Sequence, residues 1–135
     1  MRSIEPTRKE TELIQLLHQI LPAESIRSRL IDRISFAADA GFYHLIPIAI
    51  LQPATEAEIE KIFRFSQQHK IPVTFRTGGT SLSGQAVTDG LLVDLSKYWL
   101  KIAPVNDGNS VLVQPGAIGA VVNNRLKSLC TQNRA

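Results

Sequence analysis

The chain has 135 residues, of which 44% are hydrophobic and 20% are charged, so it can fold around one hydrophobic core as ordinary globular proteins do. Its net charge of +3 is small and aromatic residues make up only 6% of it, which excludes the basic, aromatic-rich surface that nucleic-acid binding favours. No apolar run reaches the roughly 18 residues of a membrane span. One cysteine excludes an internal disulfide and a cysteine-rich metal site, and the lack of an apolar signal core predicts a cytoplasmic protein.

Residues 1–42 predict an N-terminal segment of two helices ahead of the main domain. Residues 7–20 carry apolar side chains at helical spacing, and Thr7 and Glu10 have the spacing of a capping box. Pro22 marks the end of this first helix. The apolar stripe that we expect to face the core consists of Leu13, Leu16, Leu17 and Ile20.

The second helix is predicted to begin near Ala23. Its basic residues predict a solvated face, because charged side chains on an amphipathic helix point to water. A loop over residues 35–42 follows, and Tyr43 at its end is expected to pack over the sheet. The apolar residues predicted for this helix are Ile26, Leu30, Ile31 and Ile34, and the basic residues are Arg27, Arg29 and Arg33.

The next stretch predicts a right-handed β-α-β unit with parallel strands. Ile46–Leu51 is a short apolar run, and Pro47 within it predicts an edge strand or the entry strand of the sheet. Thr55 is placed to cap a helix over residues 56–69, and Ile71–Phe75 predicts the second strand. The buried face expected for the helix consists of Ile59, Ile62, Phe63 and Ser66.

The C-terminal third predicts a buried strand, a hairpin and a last helix. Leu91–Leu95 is continuously apolar, residues 106–109 carry a turn signal, and Ser110–Gln114 predicts the returning strand. Pro115-Gly116 ends that strand, and residues 117–129 predict a helix with Val121, Val122, Leu126 and Leu129 directed inward. The sequence as a whole predicts an α+β fold, with a small mixed or parallel sheet flanked by helices.

The segment between the second and third predicted strands is the strongest candidate for a functional site. It reads Arg76-Thr-Gly-Gly-Thr-Ser-Leu-Ser-Gly-Gln-Ala86 and is called here the glycine loop. Glycines let a backbone approach a ligand closely, and hydroxyls with successive N–H groups can bind one anion, which favours a diphosphate site. It is not a P-loop, since Gln85 stands where lysine would be, and it lacks the G-x-G-x-x-G pattern. A plain flexible loop is the alternative.

Several ordered motifs resemble the FAD-linked oxidase family, whose flavin domain is of the vanillyl-alcohol oxidase or PCMH type. Within that family the chain is most similar to the flavin subunits of D-lactate dehydrogenase and glycolate oxidase. The resemblance covers roughly residues 35 to 126 and is specific because the motifs keep their order. The motifs are Tyr43–Pro53, Glu56–Phe65, Pro72–Ala86, Gly90–Ser96 and Val113–Gly116.

The resemblance implies a set of FAD-binding residues. The backbone N–H groups from Thr77 to Leu82, with the Thr80 and Ser81 hydroxyls, would bind the diphosphate. Gln85 and Ala86 would lie near the flavin ring or ribityl chain, and Pro115-Gly116 near the adenine. Arg76 would either neutralise the diphosphate or support the loop from behind. The full set is Arg76, Thr77, Gly78, Gly79, Thr80, Ser81, Leu82, Gly84, Gln85, Ala86, Pro115 and Gly116.

The resemblance also implies a chemistry. Some family members bond FAD covalently through a histidine in this loop, but Gly78-Gly79-Thr80 stands there, so we expect non-covalent FAD. The implied reaction oxidises a 2-hydroxy acid to a 2-oxo acid, with hydride passing to the flavin. His44 is either a surface residue or a partner at the flavin edge. No catalytic residue is named, because the family's base and substrate-carboxylate ligands are expected beyond Ala135.

On this interpretation residues 43–135 are the N-terminal part of a PCMH-type domain that looks truncated. The alternative function is a catalytically inactive flavin-fold fragment, without bound FAD, that serves as an assembly module and forms a homodimer. A third possibility is a nucleotide-phosphate binder that is unrelated to flavin.

Overall fold

The computed structural model describes residues 5–105 and 109–132, with side chains up to residue 127. None of the helices described there is long and apolar enough to cross a membrane. In chain order the elements are α1 (Arg8–Ile20), a 3₁₀ turn (Ala23–Ser25), β1 (Ile26–Arg27), α2 (Leu30–Ser35), β2 (Ala49–Leu51), α3 (Glu56–His69), β3 (Val73–Arg76), β4 (Leu91–Asp94), β5 (Ile102–Val105), β6 (Ser110–Val113) and α4 (Gly119–Gln132).

A four-stranded mixed sheet with the order β1-β2-β4-β3 forms the centre of the fold. Strands β2 and β3 both run parallel to β4, and β1 runs antiparallel to β2. Every residue of β4 is buried, as expected for a continuous apolar strand with a neighbour on each side. The predicted α+β fold, with a small mixed sheet flanked by helices, is confirmed, and so are the parallel strands of the β-α-β unit.

Strands β5 and β6 form a separate antiparallel hairpin, in which Ile102 lies opposite Val113. The turn predicted at residues 106–109 lies outside the described residues, apart from Asn109. The Trp99 indole Nε1 donates to the Pro53 carbonyl at 2.7 Å, which fixes the start of the hairpin against the sheet.

Helices α1 and α3 supply much of the core. Leu17 of α1 and Ile62 of α3 are fully buried in one cluster with residues of β2 and β4. Each such side chain contributes about 1.5–3 kcal/mol relative to exposure, so α1 is anchored to the sheet. The capping box between Thr7 and Glu10 is confirmed, whereas Leu16, predicted to face the core, is 36% exposed. The boundary proposed after residue 42 stays a prediction.

The prediction of a second long helix is wrong. Ile26 lies in β1 and pairs with Leu51, because β2 has an open edge that an extended segment can satisfy by backbone hydrogen bonds. The remaining helix, α2, buries the face opposite to the one that we expected, since its charged residues Asp32 and Arg33 are buried. Its apolar residues Leu30, Ile31 and Ile34 are exposed by 41%, 66% and 45%.

Burial of Arg33 explains the orientation of α2 and corrects the predicted solvated face at this residue, whereas Arg27 and Arg29 are exposed as predicted. Its side chain is only 2% exposed, its Nε donates to the Pro47 carbonyl at 2.6 Å, and its Nη2 lies 3.9 Å from Glu10 Oε1. Buried charges are retained when they are paired and hydrogen-bonded, so these contacts hold the charged face of α2 inward.

Three further corrections concern which residues face inward. The strand predicted as an edge or entry strand is the first strand of the β-α-β unit, but it is not at an edge, since it lies between β1 and β4. It tolerates Pro47 because β2 begins only at Ala49. On α3, Phe63 is 51% exposed and packs its ring 5.6 Å from that of Phe75, while Phe65 occupies the core instead. On α4, Val121 is 52% exposed. The side chain of Leu129 lies outside the described part.

Candidate functional site

The glycine loop leaves the sheet at the carboxyl end of β3. The carboxyl ends of parallel strands are where open α/β sheets bind ligands. The neighbouring strand β4 ends beside it, and the Leu95 N–H donates to the Arg76 carbonyl at 2.9 Å. The loop is thus fixed to the central strand at its first residue and projects beyond the edge of the sheet.

The middle of the glycine loop is shaped by its own residues. Gly79 and Gly84 adopt positive φ angles of 65° and 76°, which side chains with a Cβ rarely tolerate. The Ser81 Oγ accepts the Ser83 N–H at 3.2 Å and the Gln85 N–H at 3.3 Å, and it donates to Gln85 Oε1 at 2.9 Å. Ser81 and Gln85, both expected near the cofactor, are therefore bonded to one another.

A row of backbone donors remains available on this loop. In the part of the chain that the structure describes, none of the N–H groups from Thr77 to Leu82 donates a hydrogen bond. Gly78, Thr80 and Leu82 are exposed, so a ligand can reach the row and the Thr80 hydroxyl beside it. Successive free N–H groups around a left-handed glycine form an anion-binding concavity, and this arrangement fits a diphosphate.

The Arg76 side chain lies behind the loop. Its Nη1 donates to the carbonyls of Phe36, Ala38 and Ala86, at 3.2, 2.8 and 3.4 Å. A Cβ built on Gly79 would lie 2.3 Å from Arg76 Nη2, so the guanidinium packs directly against the loop backbone. Of the two roles that the sequence left open for Arg76, this geometry matches support from behind.

The segment Phe36–Tyr43, called here the upstream segment, packs against the same loop. A Cβ on Gly41 would lie 2.7 Å from the Leu82 carbonyl oxygen, and one on Gly84 would lie 2.7 Å from the Tyr43 ring. Tyr43 therefore contacts the glycine loop, whereas we expected it over the sheet. His44 is exposed and lies opposite Ala38 in an isolated β-bridge.

Pro115 and Gly116 lie at the end of β6. Gly116 is buried, donates its N–H to the Trp99 carbonyl at 2.8 Å, and has no room for a Cβ beside the Leu95 carbonyl. The chain's own backbone thus accounts for this glycine. Leu95 connects Gly116 to the glycine loop. The Leu95 N–H donates to the Arg76 carbonyl, and the Leu95 carbonyl lies beside Gly116.

A buried polar network at the same edge of the sheet escaped the sequence interpretation. Asp94 Oδ2 accepts from Gln52 Nε2 at 2.7 Å, and Asp94 Oδ1 accepts from the Ser96 N–H and hydroxyl at 2.9 and 2.6 Å. Gln52 Oε1 in turn accepts from Arg27 Nε at 3.0 Å. The signal was present, because Gln52 and Asp94 are polar residues at the ends of apolar strands.

The network continues from Arg27 to Asp32 of α2. Arg29 Nε donates to Asp32 Oδ2 at 2.8 Å, and Arg27 Nη1 lies 3.4 Å from Asp32 Oδ1. Hydrogen bonds from Arg29 lower the pKa of Asp32, and they raise the pKa of Arg29. In the described ranges 5–105 and 109–132, no three His, Cys, Asp or Glu residues group as metal ligands.

Comparison with known proteins places the glycine loop within a known type of domain. Residues 47–132 match the family model described as FAD binding domain. The D-2-hydroxyglutarate dehydrogenase of Escherichia coli (strain K12) is 33% identical over 116 residues, which cover 77% of this chain and 11% of that protein. The glycolate oxidase subunit GlcD of Bacillus subtilis (strain 168) is 31% identical over 105 residues, covering 76% and 22% respectively. The chain thus spans a small part of each relative.

The solved structures agree at the level of the fold. The crystal structure of p-cresol methylhydroxylase with substrate bound superimposes with a TM-score of 0.69 at 15% identity, covering 90% of this chain and 25% of that chain. The PCMH-type fold expected from the sequence resemblance is confirmed by this likeness.

Proposed function

The chain belongs to the FAD binding domain family, and we propose that it forms the diphosphate-binding part of a flavin-dependent oxidoreductase that oxidises a 2-hydroxy acid to a 2-oxo acid. One observation carries the proposal: the accessible row of N–H groups from Thr77 to Leu82 has no hydrogen-bond acceptor within the described part of the chain. FAD carries a diphosphate between its flavin and adenosine halves, and such a row offers donors without steric bulk.

The roles we propose for the site residues come from the family resemblance, and the free N–H groups of the glycine loop support the role of that loop. The N–H groups from Thr77 to Leu82 and the Thr80 hydroxyl hold the diphosphate, and Ser81 keeps the loop in shape for it. Gln85 and Ala86 lie toward the flavin ring or ribityl chain, and Pro115-Gly116 toward the adenine. FAD bound there would supply the hydride acceptor for oxidation of the substrate. Binding is non-covalent, since the loop has no histidine, and flavin retained after acid precipitation would contradict this.

The substrate class is supported by the relatives. The names of the Escherichia coli and Bacillus subtilis proteins specify D-2-hydroxyglutarate and glycolate, which are both 2-hydroxy acids. We propose the same class for the full product of the gene that encodes this chain. The test is anaerobic mixing of that FAD-loaded product with each acid, with p-cresol as control. Bleaching of the flavin absorbance by p-cresol but by neither acid would contradict the class.

The diphosphate site is tested by an equilibrium titration of the chain with FAD, followed by flavin fluorescence. Thr80→Val removes one hydroxyl but keeps the side-chain shape, and we expect it to weaken binding about three- to tenfold, the value of one hydrogen bond. Thr11→Val makes the same chemical change on the exposed side of α1 and should bind as the unaltered chain does.

Two outcomes of this titration would contradict the proposal. Equal FAD affinities of the Thr80→Val and Thr11→Val variants would show that the Thr80 hydroxyl does not contribute to the site. Tight binding of ADP or ATP by a chain that does not bind FAD would favour the unrelated nucleotide-phosphate binder.

A second function, assembly without catalysis, is favoured by exposed apolar side chains on the hairpin and α4. Leu112 on β6 is 69% exposed, Ile118 just before α4 is 66% exposed and Val121 on α4 is 52% exposed, and exposed apolar side chains promote association. We propose that a homodimer covers these side chains. Light scattering should give twice the mass of the chain, and Leu112→Ser should reduce it to the monomer mass. A clean monomer in the unaltered chain would exclude the homodimer.

A further inference from the structure

We propose that Arg76 is a positioning residue that ties the upstream segment to the glycine loop and so holds the loop in shape for its ligand. This segment lies before residue 47, where the match to the FAD binding domain family begins. The inference rests on the proposed function insofar as FAD is the ligand of the loop. Its structural half, the tie itself, can be tested without FAD.

The hydrogen bonds of Arg76 join two separate stretches of backbone to the end of β3. Its Nη1 lies within 3.2 Å of Phe36 O and 2.8 Å of Ala38 O in the upstream segment, and within 3.4 Å of Ala86 O at the far end of the glycine loop. The guanidinium carbon also lies 5.2 Å from the centre of the Phe36 ring. A planar guanidinium can bond carbonyls at its edge and stack on an aromatic ring with its face, which an ammonium cannot do.

The other side of the guanidinium is occupied by the loop itself. Gly79 lies so close that a Cβ there would be 2.5 Å from Arg76 Cζ. The positive charge is thus held against the backbone of the glycine loop, with backbone carbonyls accepting the Nη1 protons. In this position the charge strengthens the potential that an anion meets at the front of the loop, and it acts through the loop backbone.

Two further contacts between the segment and the loop lie away from Arg76. The Gly41 backbone touches the Leu82 carbonyl, and the Tyr43 ring touches Gly84. Three points of contact over eleven loop residues mean that the two stretches cannot move independently. A ligand that orders the loop therefore also orders the upstream segment, and loss of the tie loosens both.

A direct contact between Arg76 and the diphosphate is the competing explanation, and Arg76→Lys separates the two. Lysine keeps the charge that a direct ion pair needs, but it loses the planar fork and the stacking on Phe36. If Arg76 acts as a tie, Arg76→Lys should weaken FAD binding nearly as much as Arg76→Ala does. A direct ion pair predicts that Arg76→Lys binds FAD almost as the unaltered chain does.

The first experiment is hydrogen exchange on the 135-residue chain without FAD. Leu45 N–H bonds Ala37 O at 3.0 Å and Gly41 N–H bonds Asp39 Oδ1 at 2.8 Å, so both amides report on the upstream segment. We expect Arg76→Ala and Arg76→Lys to exchange these two amides at least about tenfold faster, while the β4 amides stay protected. Arg64→Ala, which removes an exposed arginine of α3, is the control and should change neither. Unchanged exchange in both Arg76 variants would overturn the tie.

The second experiment measures the FAD affinity of the Arg76 variants and asks whether a small added cation restores it. Arg76→Ala should weaken FAD binding about tenfold or more, and added ethylguanidinium should restore part of the loss whereas ethylammonium should not. FAD should also slow exchange at Leu45 in the unaltered chain. Affinity unaffected by Arg76→Lys, or rescue by ethylammonium, would contradict the positioning role. If the unaltered chain binds no FAD, the proposed function fails while the apo exchange result still decides the tie.

Discussion

Gly78 and Gly79 are adjacent in the glycine loop but face different surroundings. A Cβ on Gly78 would meet only the Thr80 methyl at 3.6 Å, an ordinary contact distance. A Cβ on Gly79 would require a residue at φ 65° and would overlap the Arg76 guanidinium. The second glycine is therefore needed for the conformation of the loop, and the first is not.

This difference predicts that alanine at Gly79 and alanine at Gly78 affect the stability of the chain differently. Gly79→Ala should cost about 1–2 kcal/mol for the left-handed conformation, with more from displacing Arg76, and it should weaken FAD binding. Gly78→Ala should leave the free energy of unfolding within about 0.5 kcal/mol of the unaltered chain. Chemical denaturation of both variants and the FAD titration check this. A Gly78→Ala variant as unstable as Gly79→Ala would show that the loop conformation described here is wrong.

At the level of elements, α2 is held in its inverted orientation by ion pairs. Asp32 in its first turn accepts hydrogen bonds from Arg29 at the N-cap and from Arg27 on β1, so one carboxylate links helix and sheet edge. The bonds from Arg29 are the largest cause of its lowered pKa. A carboxyl whose pKa is lower in the folded state stabilises the fold above its unfolded pKa of about 4, and the contribution disappears as the pH falls through the folded value.

Asp32→Asn should therefore lower the thermal unfolding midpoint at about pH 7, and the difference from the unaltered chain should shrink as the pH falls through the lowered pKa of Asp32. Glu60→Gln, which removes an exposed carboxylate of α3 paired with Arg64, is the control and should have little effect at either pH. A difference that persists unchanged in acid would mean that Asp32 acts through packing and not through its charge.

The elements that sequence predicted correctly are those whose local signals agree with their tertiary contacts. Helix α3 has its predicted bounds because Thr55 caps it and the apolar face points to the sheet. The prediction of the second helix failed because Ile26 pairs with Leu51 in the sheet, and this pairing overrode the helical periodicity. Periodicity in a sequence does not show that a strand edge elsewhere needs a partner. Phe63 was misplaced on α3 because sequence could not show that Phe75 offers it an aromatic neighbour outside the core.

The candidate site was located by composition but not resolved in detail. Three glycines and four hydroxyls marked the glycine loop. Sequence could not decide that the Ser81 hydroxyl turns back to Gln85, or that Arg76 reaches Phe36 and Ala38, which lie 40 and 38 positions away. Long-range contacts of this kind depend on the packing of two loops and have no local pattern.

Across the whole molecule, the groups suited to ligand binding collect at one edge of the mixed sheet. The glycine loop follows β3, the Asp94 network follows β4, and Gln52 follows β2, so three adjacent strands end at this edge. At the opposite, amino end of β4 the Leu91 N–H donates to the Pro72 carbonyl at 2.9 Å, so backbone contacts join the strands there. This polarity agrees with membership of the FAD binding domain family.

The central claim is that the glycine loop of this chain binds the FAD diphosphate through its backbone. An amide-resolved NMR titration of the ¹⁵N-labelled chain with FAD tests it most directly, because backbone shifts report even weak binding. The account predicts that the largest shifts fall on the amides from Thr77 to Leu82, and that riboflavin, which lacks the diphosphate, leaves them unchanged. Shifts confined to other regions, or equal responses to FAD and riboflavin, would contradict it.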